Sequence, residues 1–324
     1  MASRVFRKSS ALLGRLRESA VRTVVGTGPG AQGSLDFRST VGSCVDGSRY
    51  VSLQVVAQRM KSVGNIQKIT AAMKMVAASR LKGAQMKMEK SRGLVQPLLR
   101  LLGDVPGASS GETMIIPVSS DKGLCGGINS TVVKFSKVVS SSSEGEPSMT
   151  IVGEKARGQL SKTYSSHLRN VILDVTKIPL TFATASMVTD IILGKGASKS
   201  QVIYNRFQSV ISFKPTVATV LSVEGYENAA DKGMNKFDEY ELEGPGRSEL
   251  LLDLAEFKMG AVLYNALLEN STSELGSRMQ SMENSTKNAK DMLGKLTLLY
   301  NRTRQASITT ELIEIISGAS ALEG

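Results

Sequence analysis

Tryptophan is absent from this 324-residue chain, aromatic residues make up only 5% of it, and there is a single histidine, His167. With 41% hydrophobic residues the chain can still bury a substantial core, and its length suggests about two domains. That core must be packed with slim or flexible side chains. The 14 methionines and many alanines suit helix-on-helix contact better than a β-sandwich. The lone histidine has no companion for a zinc site or a catalytic triad. Cys44 and Cys125 are the only cysteines, too few for a disulfide framework or a metal cluster. No apolar run approaches the roughly 18 to 20 residues of a membrane helix. No Walker phosphate loop occurs. Gly28, Gly30 and Gly33 match G-x-G-x-x-G, but no helix-forming stretch follows them, and a dinucleotide site is not expected there.

Acidic residues are scarce in particular places. The formal net charge is +11. Residues 1–49 carry Arg4, Arg7, Lys8, Arg15, Arg17, Arg22, Arg38 and Arg49 against Glu18, Asp36 and Asp46. Lys8, Arg15 and Arg22 share a helical face, with Val5, Leu12, Leu16 and Ala20 on an adjoining stripe. This pattern is that of a mitochondrial transit peptide rather than a secretory signal, which has an unbroken apolar centre. Cleavage is expected around residues 38–50.

Proline is missing from Val51 to Gln96 and again from everything after Pro245. In the first stretch Val56, Met60, Val63, Ile66, Met73, Val76, Leu81, Ala84 and Met88 recur at spacings near three and four. One helix of roughly 40 residues, about 60 Å, is expected, ended by Pro97. Its other face carries Arg59, Lys61, Lys68, Lys74, Arg80, Lys82, Lys87, Lys90 and Arg92, with Glu89 as the acid among them. In the second stretch Leu254, Phe257, Ala261, Tyr264, Leu268, Ser271, Leu275, Met279, Met282, Thr286, Ala289, Leu293, Leu296 and Tyr300 form a heptad seam. One stutter falls between Leu275 and Met279. Such a helix reaches on the order of 110 Å and must project from any domain of this size. Its last turns, with Ile313, Ile315 and Ile316, show no clear polar face and call for a surrounding sleeve.

Between the helices the period changes. Strand-rich runs begin at Thr113, Ser148, Asn170 and Ser200, with helical stretches around Ile128–Val139, Lys155–His167 and Thr181–Leu193. This alternation predicts a mostly parallel sheet with covering helices, closed by a hairpin turning near Arg206–Ser209. Ser140–Ser143 reads as a loop, and the polar stretch Glu224–Pro245 as a connector. The resulting division is a leader over 1–49, a helix over 50–105, an α/β domain over 106–245 and a helix over 246–324.

Three segments invite a functional reading. In "SSDKGLCGGIN", Ser119–Asn129, a strand runs into a glycine-rich turn and a helix. That turn is either an anion site at a helix N-terminus or a plain connection. Cys125 within it has no visible partner for nucleophilic chemistry. "RTRQASIT", Arg302–Thr309, places Arg304 beside Gln305, either as a polar handle for a partner or as a solvated face. The sequons at Asn129, Asn270, Asn284 and Asn301 read as helix-surface polar residues.

Taken together, "RMKSVGNIQKITAAMKMVAASRLKGAQ" from Arg59, "SSDKGLCGGIN" from Ser119 and "NRTRQASITTELIEIISGASAL" from Asn301 resemble the F-type ATP synthase gamma-subunit family, over essentially all of residues 50–324. The resemblance implies an α/β fold: a long antiparallel coiled coil of the N- and C-terminal helices around a Rossmann-like middle domain. It implies a non-catalytic rotor shaft with no cofactor and no nucleic acid. The partners implied are the alpha and beta subunits, small delta- or epsilon-type central-stalk subunits, and the membrane c-ring, on the matrix side of the mitochondrial inner membrane. By the same resemblance Arg304 and Gln305 meet a beta-subunit catch loop, while Lys122, Cys125 and Met73 meet an acidic lever of beta. Ala72 stands where many relatives carry Lys. Chloroplast relatives carry a redox cysteine pair in an insertion, and this chain has no second cysteine near Cys125. From the residues alone, a basic coiled coil that binds nucleic acid and a small-molecule enzyme built on the middle domain remain alternatives.

Overall fold

The computed structural model describes residues 53–103, 111–143, 145, 147–194, 196–230 and 246–323. The segment expected to be a leader, residues 1–49, lies outside them. Helix α1 spans Leu53–Leu102 and continues through Pro97, so the expected end at Gln96 is corrected. A proline inside a helix costs about 3 kcal/mol through its missing N–H and its ring. Beyond it Leu98 and Leu102 are both buried, and burial of two leucines contributes about 1.5–3 kcal/mol each. The packing of the last turn therefore outweighs the proline. The helix closes at Gly103, whose carbonyl accepts a 2.8 Å hydrogen bond from Lys258 Nζ.

A five-stranded sheet follows, in the order β3-β2-β1-β4-β5. Its strands are β1 (Thr113–Pro117), β2 (Ser148–Val152), β3 (Leu168–Ile172), β4 (Lys199–Phe207) and β5 (Phe213–Leu221). The first four are mutually parallel and β5 returns antiparallel to β4. The hairpin turn at 208–212 is closed by the Gln208 and Ser209 N–H groups donating to Ser212 O. Pro215, which has no N–H to donate, sits on the edge strand β5, where that lack is tolerated. Parallel strands need both faces covered, and β1 and β2 accordingly read as short, wholly buried runs.

Helices α2 (Ile128–Ser142) and α3 (Glu154–Leu160) cover one face. There Val132, Val133, Ala156 and Leu160 pack on Ile115, Met149, Ile151 and Ile203. The other face is covered by α4 (Phe182–Leu193), the end of α1 and the lower part of the C-terminal helix α6 (Arg247–Glu323). Its contacts come from Ala185, Val188, Ile192, Val95, Leu98, Met259, Val262, Leu263 and Leu267. Helix α6 spans Arg247–Glu323, 77 residues, about 115 Å at the standard rise.

Several local expectations are revised. Ser140–Ser142 extend α2 instead of forming a loop: Val139 and the buried Ser140 hold the last turn against the sheet, and the Ser141 and Ser142 hydroxyls donate to the carbonyls four residues earlier. The helix expected to His167 stops at Leu160, and turns lead from there into β3, which starts at Leu168. Within the expected connector, Val223–Ala230 forms a helix, α5. It is anchored by buried Tyr226, whose hydroxyl accepts from the Leu221 N–H at 3.2 Å. Ile66 and Val76 fall off the α1 seam and are exposed, as is Phe257, which rests instead on the Phe182 ring.

Candidate functional site

The two long helices pack against each other in opposite directions. Contacts pair Gly64 with Leu293, Thr70 with Thr286, Lys74 with Glu283, Ser91 with Asn265 and Arg92 with Glu269. The seam between them is slim. Ala77 and Ala289 are buried in it, and a hydroxyl pair joins Thr286 to Thr70 at 2.8 Å. Side chains this small carry little dispersion energy individually but let the helices approach closely. Around the seam, Arg59, Lys61, Lys68, Arg80, Lys82, Lys87 and Lys90 are all exposed on α1. Arg92 is not one of that row.

Arg92 Nε and Nη2 grip the Glu269 carboxylate at 2.5 and 2.9 Å. The same carboxylate accepts the Phe207 N–H at 2.7 Å, and Arg92 Nη2 also donates to Phe207 O at 2.7 Å. Glu269 is 1% exposed and Arg92 28%. One ion pair thus ties α1, α6 and the end of β4 together, with both carboxylate oxygens and the Nε and Nη2 donors engaged. Its hydrogen bond to Glu269 raises the Arg92 pKa further above its ordinary value, against the opposing effect of burial.

Next along α6, Asn270 Oδ1 accepts from Asn205 Nδ2 at 3.1 Å, and Ser273 Oγ donates to Asn205 O at 3.1 Å. Gly276 lies where a Cβ would stand 3.0 Å from Val210 O. One turn on, Ser277 Oγ donates to Cys125 O at 2.5 Å, Arg278 Nη2 donates to Gly123 O at 3.3 Å, and Arg278 pairs with Glu274. Gly126, at φ +62°, brings its backbone so close that a Cβ would sit 2.7 Å from Ser281 Oγ. Burial raises the Glu274 carboxyl above the ordinary glutamate range, with Arg278 pulling it back down.

These contacts lie at the carboxyl ends of β1 and β4. In a doubly wound sheet the strand order reverses there, opening the crevice where such folds usually bind ligands. Here the crevice is filled by residues 269–281 of α6. The glycine-rich turn is a seat for that helix, and the anion-site reading is set aside by the close approach of Ser277 and Ser281. Cys125 is 2% exposed and held by Ser120 and Asn129. Burial raises its thiol pKa, the opposite of what a nucleophile needs. Asn129 and Asn270 are buried and hydrogen-bonded, correcting their reading as helix-surface residues. A hollow of about 380 Å³ between α4, β5 and the base of α6 is lined mainly by apolar groups such as Ile192, Val220, Leu252 and Met259. Its carboxylates, Glu224 and Glu256, share the lining with Ser198, Ser200 and Ser222 but with no histidine, lysine, arginine or cysteine that could act as a base or activate a hydroxyl. Among the described residues no group of histidine, cysteine and acidic side chains is arranged to hold a metal, and no helix is long and apolar enough to cross a membrane.

Of the residues singled out in the sequence, Arg304 and Gln305 are exposed near the tip of α6, Lys122 is exposed on the turn, and Met73 is half-buried beside the seam. Toward the tip of the helix Ile308, Leu312, Ile313, Ile315 and Ile316 are all more than half exposed. Sequence reasoning missed the Arg92–Glu269 pair. The available signal was one acid, Glu269, following an apolar run on the helix that faces a basic one.

A family model described as ATP synthase matches residues 52–322. The chain is 52% identical over 287 residues to "ATP synthase subunit gamma, mitochondrial" of Ipomoea batatas, covering 86% of this chain and 88% of that protein. The Arabidopsis thaliana protein of the same name is 50% identical over 284 residues, covering 86% and 87%. Among solved structures, a chain of the central stalk and c-ring assembly of Tetrahymena thermophila mitochondrial ATP synthase matches with TM-score 0.55 and 31% identity, over 67% of this chain and 98% of that one. A chain of the Euglena gracilis OSCP/F1/c-ring assembly shares the fold, with TM-score 0.72 and 20% identity over 84% and 95%.

Proposed function

This chain belongs to the ATP synthase gamma-subunit family, the rotor shaft of the mitochondrial enzyme, and on that premise we propose how its geometry does the work. The observation that carries the reading is the end of α6. A helix tip that exposes Ile308, Leu312, Ile313, Ile315 and Ile316 over a broad face has no reason to persist bare in water, and its stability must come from packing. A sleeve of alpha and beta subunits supplies that packing. The sheet domain at the opposite end carries the c-ring and the small delta- or epsilon-type stalk subunits, on the matrix side of the inner membrane.

Within the sleeve the shaft is asymmetric. One side is the exposed basic row of α1; another is the mixed face of α6. Turning it presents different faces to three otherwise equivalent sites, and each site shifts between states by the difference in contact free energy. The shaft itself is non-catalytic and holds no cofactor. The acidic lever of beta is attracted to the basic row, with Met73 and Lys122 at the contact. Cys125 supports that contact from inside, shaping the turn that presents Lys122 and Leu124. Arg304 and Gln305 hydrogen-bond the catch loop of beta near the tip.

Two experiments test this. Pull-down of the chain in mild detergent should recover alpha, beta and c subunits; recovery of nucleic acid without them would overturn the assignment. Arg304→Ala combined with Gln305→Ala should impair coupled ATP synthesis, and unchanged coupling would remove the catch role. Residues 1–49 are proposed to be an import leader preceding the helix over 50–105, the α/β domain over 106–245 and the helix over 246–324. N-terminal sequencing of the chain from the assembled enzyme should start near residues 38–50, and an intact Met1 would contradict it.

A further inference from the structure

A shaft transmits torque only if its coil cannot turn within its own foot, and the slim seam offers little to prevent that. Along the seam above the foot the polar ties seen between the helices are the Thr70–Thr286 hydroxyl pair and the Lys74–Glu283 ion pair, while Ser91 Oγ donates to Asn265 Oδ1 within the foot. The ion pair's partners are 38% and 49% exposed, so solvent screens it. Hydrophobic contact is non-directional and resists sliding weakly. The foot presents something different. Glu269 is held by Arg92 through two hydrogen bonds and by the Phe207 N–H through a third, and Arg92 returns a bond to Phe207 O. Four directional bonds thus fix α1, α6 and β4 at one level. Directly above it, Asn270 and Ser273 bond Asn205, and Gly276 presses on Val210.

Resting on the rotor-shaft reading, we propose that the Arg92–Glu269–Phe207 clamp is the torque joint of this subunit, where rotation of the sheet domain is handed to both helices of the coil at once. Arg92 and Glu269 act here as positioning residues that set the angle of the coil on its foot. A planar guanidinium bound at two points resists twisting in a way that a lysine ammonium, a point charge on a flexible stem, does not. Removing the clamp therefore softens the shaft in torsion while leaving its subunit contacts in place.

The test uses the whole assembled enzyme carrying Glu269→Gln or Arg92→Lys, with Glu283→Gln, which breaks the exposed ion pair higher on the coil, as the control. The readouts are the angular spread of a bead on the c-ring with the catalytic head held fixed, and proton-driven ATP synthesis relative to ATP hydrolysis. Glu269→Gln should widen the spread and depress synthesis more than hydrolysis. Arg92→Lys should do the same to a smaller degree, and Glu283→Gln should do neither. The proposal is overturned if the Glu269→Gln enzyme assembles with an unchanged spread, or if Glu283→Gln widens it as much. Either result leaves the rotor reading intact. That reading fails instead if the unmodified chain does not co-purify with the alpha, beta and c subunits.

Discussion

Glu269 shows how much can rest on one side chain. Its carboxylate is buried and accepts from Arg92 and from the Phe207 N–H. In Glu269→Ala the guanidinium loses its carboxylate, keeping only Phe207 O, and the buried Phe207 N–H loses its acceptor. Breaking such a pair from one side costs about 3–5 kcal/mol, which a fall in the urea midpoint of the purified chain should register. Replacing both partners, Arg92→Met with Glu269→Leu, should cost less than either single change, because no charge is then stranded. Glu274 should appear in the pH dependence. Burial raises its folded-state pKa above the unfolded value, so the native state binds its proton more tightly. Stability from this group is full below the unfolded pKa and declines as pH rises from the ordinary glutamate range to the raised folded value. Glu274→Gln should flatten that decline in denaturation profiles taken across the mildly acidic range, and a slope identical to the parent would refute the assignment. Neither residue was legible in advance. Arg92 stood in a row of exposed cations of the same spacing, and nothing local distinguishes a cation that meets a buried carboxylate some 170 positions away.

The elements were far more legible than the joints between them. Proline-free stretches and apolar spacing marked both long helices, and the change of period between them marked the mostly parallel sheet. Misjudged boundaries have tertiary or side-chain causes that a local pattern does not carry. Pro97 is overridden by the burial of Leu98 and Leu102, the connector reading of Val223–Ala230 by the burial of Tyr226, and the loop reading of the α2 serines by the packing of Val139 and Ser140. The seam was legible where it was apolar and not where Thr70 and Ser91 fill it with hydroxyls. Its narrowness leads to a direct expectation. Ala77 is buried between the helices, and Ala77→Leu forces methyl groups into a space that has none to spare. Overpacking of this kind costs about 1–3 kcal/mol. A lowered melting temperature with helix content retained is expected, and a raised one would mean that the coil is loosely packed at this level.

At the scale of the whole molecule, charge and packing divide the labour. The foot grips its own helix in the crevice where a doubly wound sheet otherwise binds a ligand, while the exposed cations of α1 face outward along the coil. Residues 1–49 hold eight basic and three acidic residues, so without them the net charge of +11 falls to +6, which says little about fold but a good deal about encounter. If the basic row meets acidic levers, attraction steers association and is screened over about 8–10 Å at ordinary ionic strength. Assembly of the purified shaft with alpha and beta subunits should slow as salt is raised. Reversing Lys82, Lys87 and Lys90 to glutamate, all exposed and none part of the clamp, should slow it further at low salt and reduce the salt slope, with the melting temperature of the free chain little changed. Stopped-flow mixing across a salt series measures both. If the slope were untouched by the reversal, the steering would have to come from elsewhere on the surface, and the basic row would lose its role in recognition even though the shaft kept its shape.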